Sequence, residues 1–172
     1  MDIDQIYTTD ALKGLKKLTS GSIDCVVTSP PYWGLRDYGI EGQIGLEKSF
    51  EQYINKLLEI FDEVHRVLKK DGTLWVNIGD TYWGSLQGYG ARKSSATGFQ
   101  KAPVEAGYFA ASKGKPPMTF SHPYMKEKSM VMLPGRFAVG MIERGWILRN
   151  TIIWNKPNAT PESVKDRFTN DF

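Results

Sequence analysis

The run Ser29-Pro30-Pro31-Tyr32-Trp33 sets a hydroxyl, two carbonyls in a stretch without N–H donors, and two aromatic rings in immediate succession. Proline locks its own φ and has no N–H, so the loop is stiff and offers hydrogen-bond acceptors rather than donors. Rigid acceptors beside an aromatic platform could hold and orient a planar polar ligand. The same residues also read as a plain proline turn that ends a strand with an aromatic packed beneath it. The four residues Ser29–Tyr32 alone leave these two readings evenly matched.

The elements around the run give it a place. Ile23–Thr28 reads as a buried strand, and a proline pair cannot continue a ladder, so the chain exits the sheet at Ser29. Ile3–Thr8 reads as a short strand, and Asp10 as the cap of a helix Ala11–Leu18. Phe50, Tyr53, Ile54, Leu57, Leu58, Phe61, Val64 and Leu68 share one face of a helix spanning Phe50–Lys70. Ser49 and Gln52 make a capping box at its start, and Lys69-Lys70 with Gly72 suit its end. Thr73–Ile78 is a further strand. Pro134 fits the first turn of a helix running to Arg144, Gly145 ends it, and Trp146–Trp154 is a last strand. The order predicts an α/β domain with a largely parallel sheet. In open sheets of this kind ligands bind beyond the carboxyl ends of the strands. Thr9-Asp10, Ser29–Trp33 and Asn77–Asp80 all fall at such ends and are expected on one rim.

Bulk properties restrict the setting. The 172 residues suffice for one domain, and a net charge of +3 permits a polyanionic partner without demanding one. Cys25 is the sole cysteine, so no internal disulfide forms, and its apolar surroundings predict a buried, inert thiol. No apolar run approaches a membrane span, and the N-terminus lacks a signal-peptide layout. A bacterial, archaeal or phage-infected cytoplasm is expected. No metal-ligand cluster is present in the sequence.

Thr28–Trp33 resembles motif IV of the amino-methyltransferases that act on exocyclic amines of DNA bases. The resemblance extends to Ile6–Asp10, Ser22-Ile23-Asp24, Gly72–Tyr82, Leu133–Phe137, Gly145-Trp146, Ile153–Asn158 and Pro161–Val164. It implies a Rossmann-like fold that binds S-adenosylmethionine, and methylation of a base flipped out of double-stranded DNA. The residue types suit that task. A base amine is conjugated with its ring and is a poor nucleophile. Two fixed acceptors, Ser29 and the Pro30 carbonyl, would draw it towards tetrahedral geometry. Pro31 would stiffen the loop, and Tyr32 would stack on the base, worth roughly 1–3 kcal/mol. Serine at position 29 is associated with the 4-amino group of cytosine; asparagine or aspartate is more usual for the 6-amino group of adenine.

The same resemblance gives Asp10 a contact with the adenine part of the cofactor, with Ser29 and Pro30 alongside. A plain helix cap is the other reading of Asp10. Asp80 would meet the base or cofactor, or form an Asx turn. Trp33 would line the base pocket, or pack. From about 85 to 128 the periodicity disappears into an insertion that is too long for a passive connection. There Arg92, Lys93, Lys101, Lys113, Lys115, Lys126 and Lys128 outnumber Glu105 and Glu127, with aromatics interleaved, a composition suited to phosphate contact and base stacking. Arg92 and Lys93 are the expected DNA contacts. A cognate restriction endonuclease would accompany such an enzyme.

The glycine-containing Phe-x-Gly-x-Gly segment that holds the methionine part of the cofactor is not found in the 172 residues. In the permuted, beta-type order the proline motif comes first and the glycine loop follows, so the chain is expected to be C-terminally truncated. Three alternatives accompany the cytosine reading: adenine methylation, a non-catalytic DNA-binding remnant, and methylation of a protein amide or RNA base. The last usually places its glycine loop before the proline motif, which this chain does not.

Overall fold

The computed structural model describes residues 3–35, 37–83 and 122–157. Strands β1 (Ile23–Thr28) and β2 (Leu68–Val76) pair in parallel, and helix α2 (Phe50–Val67) crosses between them. Parallel neighbours need a long connection, which a helix supplies while covering one sheet face. The α/β class and the parallel pairing are those expected from the sequence.

Helix α2 carries the core. Phe50, Tyr53, Ile54, Leu57, Leu58, Phe61, Val64 and Val67 are buried along it, and Ile23, Val26, Leu74 and Val76 from the sheet pack against this cluster. Ser49 Oγ accepts from Gln52 N at 3.4 Å, the first half of the expected capping box. The helix stops at Val67 rather than Lys70. Leu68 turns to φ −68°, ψ 141° and pairs with Ile23, so Lys69, Lys70 and Gly72 belong to β2. Sheet pairing of a buried leucine overrides the local end signals.

Two further helices flank α2. Helix α3 (Leu133–Glu143) has Pro134 in its first turn and Gly145 at φ +90° just beyond its end, as expected. Phe137 meets Phe61 edge-on at 5.0 Å. Helix α1 (Ala11–Leu15) begins at its Asp10 cap but is shorter than Ala11–Leu18. Arg66 of α2 explains the early stop: its guanidinium donates to the carbonyls of Leu15 at 2.9 Å and Leu18 at 3.0 Å. The charged fork adds to the tighter turn that closes the helix, in which Leu18 N donates to Leu15 O at 2.9 Å.

The strands expected at Ile3–Thr8 and Trp146–Trp154 do not form. Both segments lie outside the sheet and are largely exposed, with Ile6 97% and Ile152 70% accessible. A strand is stabilised by its neighbours, and among the described residues neither segment has one. The sheet face opposite α2 is also open. Cys25 is exposed there, contrary to the buried thiol expected, because nothing among the described residues covers that face.

Candidate functional site

Beyond their ends β1 and β2 stay joined, because Asn77 N donates to Thr28 O at 2.9 Å. This brings Ser29–Trp33 against Asn77–Asp80. The Tyr32 hydroxyl donates to Asn77 Oδ1 at 3.3 Å. The Tyr32 ring lies so close over Gly79 that a Cβ there would fall 2.9 Å from its Cε2. Two of the three expected rim segments therefore converge. Asp10 accepts from Lys13 N at 3.0 Å as the cap of α1, and among the described residues no hydrogen bond ties it to the proline loop.

The segment from Gly45 to Tyr53 holds the loop from below. The buried Tyr53 hydroxyl donates to the Pro31 carbonyl at 2.9 Å. Burial, reinforced by Glu47 and Tyr32, pushes this phenol well above the usual tyrosine range, so it remains a donor. Gly34 N donates to Gly45 O at 2.7 Å, and Trp33 Nε1 to Glu47 O at 3.0 Å. Gly45 sits at φ +100°, and any side chain there would meet the Tyr32 carbonyl at 2.9 Å. The buried Glu47 carboxylate accepts from Gly45 N at 2.9 Å through Oε2. Its Oε1 lies 3.0 Å from Lys56 Nζ, a charge contact outside hydrogen-bond geometry.

What the loop leaves open matters as much. The Pro31 carbonyl is taken by Tyr53 and the Tyr32 carbonyl by Leu35 N at 3.3 Å. Among the described residues neither the exposed Ser29 hydroxyl nor the Pro30 carbonyl has a hydrogen-bond partner. Pro30 itself is buried. This leaves an acceptor pair on a pinned loop open to a ligand.

The other expected site residues have definite places. Asp80 Oδ1 accepts from Thr81 N at 2.8 Å and Leu133 N at 3.0 Å. Trp33 is buried, stacked on Trp83 with centroids 6.2 Å apart and edge-on to Phe50. Arg92 and Lys93, with the insertion as far as residue 121, lie outside the described residues. The insertion's bases are joined: Tyr82 bridges Met130, and Trp83 N donates to Ser129 O at 2.8 Å. His122 completes this junction, 5.3 Å from both Phe50 and Trp83 between ring centroids. Its Nδ1 accepts from Met125 N at 3.2 Å, which leaves the proton on Nε2 to be donated to Glu51 Oε1 at 2.7 Å.

Sequence reasoning placed Tyr53 in the core but missed its polar tip, and it did not single out Glu47, Gly45 or His122. A tyrosine on a fully apolar helix face is the signal for the first, since a buried phenol needs a partner. An acid ahead of an apolar helix start is a weaker signal for Glu47.

Comparison with known proteins fits this arrangement. The family model for DNA methylases, whose name covers N6 and N4 methylation, matches residues 23–172. The type II methyltransferase M.Cfr9I of Citrobacter freundii is 49% identical over 164 residues, which is 95% of this chain and 50% of that protein. M.XycI of Xanthomonas campestris pv. cyanopsidis is 48% identical over 94% of this chain and 49% of its own length. M.SmaI of Serratia marcescens is 43% identical over 96% and 52% respectively. The chain belongs to the DNA methylase family. It spans about half the length of these curated relatives. No described helix is long and apolar enough to cross a membrane.

Proposed function

We propose that this chain carries the base-amine site of a site-specific DNA methyltransferase, most specifically one acting on the 4-amino group of cytosine. The observation that carries the reading is the unpartnered acceptor pair, Ser29 hydroxyl and Pro30 carbonyl, on a loop whose next two carbonyls are occupied. In this reading the pair accepts the two N–H bonds of the amine and aims its lone pair, while Pro31 keeps the loop rigid. Tyr32 stacks on the flipped base, its ring set by Gly79 and Asn77. The amine nitrogen so aimed would bond to the donor's methyl carbon as the methyl–sulfur bond breaks to leave a neutral thioether, and the methylated amine would then lose one proton to solvent.

S-adenosylmethionine supplies the methyl group when bound. The residues present fit it in donor chemistry: Asp10 is exposed and uses one carboxylate oxygen for its cap bond, leaving the other for a ligand, and Ser29 and Pro30 have free acceptors. Duplex DNA is the substrate in this proposal, and the basic, aromatic insertion at about 85–128, with Arg92 and Lys93, is its phosphate-contacting element. Asp80 and Trp33 support the base pocket through the bonds described above. A cognate endonuclease is the expected companion, because the relatives are named type II methyltransferases.

Nucleoside analysis of DNA incubated with the full-length protein and S-adenosylmethionine tests this. Production of 4-methylcytosine is expected; 6-methyladenine alone would overturn the choice of base. Calorimetry with S-adenosylmethionine separates an enzyme from a DNA-binding remnant, which would show no heat of binding.

A further inference from the structure

The proline loop is held from one side by one segment, and the spacing of those contacts is informative. Between Gly45 and Tyr53 the chain leaves a turn and enters α2, and over that short span it makes three separate attachments. Gly45 O receives Gly34 N, Glu47 O receives the Trp33 indole, and the Tyr53 hydroxyl reaches the Pro31 carbonyl. Tyr53 differs from the other two. It is wholly buried, it stands one turn into a rigid helix, and its hydroxyl is the part that touches the loop. A phenylalanine would fill the same core space. The hydroxyl therefore adds nothing to packing that a benzene ring would not.

Its effect falls on the loop. Prolines at 30 and 31 provide no amide hydrogens, so this stretch cannot anchor itself by donating. It can be fixed only through its carbonyls or its side chains. If the Pro31 carbonyl rotated, the Pro31–Tyr32 peptide plane would turn with it, tilting the Tyr32 ring off Gly79 and shifting the Pro30 carbonyl next door. We propose that Tyr53 is a positioning residue for base-amine recognition: by binding the Pro31 carbonyl it sets the orientation of the free Ser29–Pro30 acceptor pair and of the Tyr32 ring. Glu47, by accepting from Gly45 N, fixes the turn that receives Gly34 of the same loop. This inference rests on the base-amine reading above and adds a residue to it that never touches the base.

The test is Tyr53→Phe, with Ile54→Val as a control that thins the buried face of α2 and removes no hydrogen bond. Two measurements are made on each protein. The first is amide hydrogen exchange at Gly34, whose N–H closes the loop onto Gly45. Loss of one buried hydrogen bond should accelerate Gly34 exchange in Tyr53→Phe roughly fivefold to tenfold while α2 amides change less than twofold. The control should accelerate both together or neither. The second is fluorescence-anisotropy titration with an end-labelled duplex carrying a bulged cytosine, against the same duplex without the bulge. Tyr53→Phe should weaken bulge binding roughly tenfold and leave binding of the plain duplex unchanged.

If the wild type prefers the bulged duplex and Tyr53→Phe keeps that preference, Tyr53 does not position the acceptors. If the wild type shows no preference, the base-amine reading fails. Gly34 exchange then still decides whether Tyr53 anchors the loop, and an unchanged rate, or one that rises only with the α2 amides, overturns the inference.

Discussion

Asp80, four residues past the end of β2, accepts a hydrogen bond from the backbone N–H of Leu133, the first residue of α3, at 3.0 Å. The residue in the N-cap position, Met132, has no side chain able to do this and sits at φ +63°. A carboxylate distant in sequence thus caps the helix and ties the rim of the sheet to it. Asp80→Ala should cost about 1–2 kcal/mol of unfolding free energy. Asp80→Asn, which keeps an acceptor, should recover at least half. Urea denaturation of the three proteins checks this, and equal losses in both variants would show that charge, not capping, is at stake.

Gly140 of α3 packs against Leu58 of α2, where a Cβ on Gly140 would stand 2.7 Å from Leu58 Cδ1. Helix propensity favours alanine over glycine, by about 1 kcal/mol. Steric overlap should nevertheless prevail, and Gly140→Ala is expected to destabilise the protein by about 1–3 kcal/mol. Shortening the opposing side chain relieves the clash. The double variant Leu58→Ala/Gly140→Ala should therefore lose at least about 0.5 kcal/mol less than the two single variants combined. Strict additivity in a double-mutant cycle would contradict the contact.

Glu51 joins α2 to the segment that returns from the insertion. Burial raises its carboxyl, but its own backbone amide, His122 and Ser49 together outweigh burial and hold it below the ordinary glutamate range. A depressed carboxyl stabilises the fold above its unfolded value, and that contribution is lost as pH falls through its folded value. Wild type should therefore exceed Glu51→Gln in stability at neutral pH, and the gap should close on acidification below the usual glutamate range. Urea midpoints from pH 7 to pH 3 measure it. A gap that persists at the acid end would remove Glu51 as the cause.

The helices and β1 were legible in the sequence because their signals are local. The apolar stripe of α2, the Asp10 cap, and Pro134 and Gly145 around α3 are satisfied within a few residues of where they stand. Ile3–Thr8 and Trp146–Trp154 were read as strands on composition alone, and composition cannot supply a neighbouring strand. The boundary at Leu68 was misread for the same reason, since its pairing with Ile23 is a long-range event. At the site, Ser29-Pro30-Pro31-Tyr32 could be found by residue type, and its proximity to Asn77–Asp80 by strand order. The hold exerted by Tyr53 and Gly45 could not, because it depends on which face of α2 meets the loop and on how closely two backbones approach.

The unpartnered acceptors remain the centre of the functional reading, and Ser29→Ala removes one of them without disturbing the fold. Single-turnover transfer of a labelled methyl group from S-adenosylmethionine to DNA is the most direct measurement. The wild-type chain, assayed within its full-length protein, should form 4-methylcytosine. Ser29→Ala should slow that step about 100-fold or more while DNA affinity changes less than about threefold, as expected when a group acts on the reacting amine. A Ser29→Ala protein that methylates cytosine at the wild-type rate, or a wild type that modifies no base amine, would contradict the assignment.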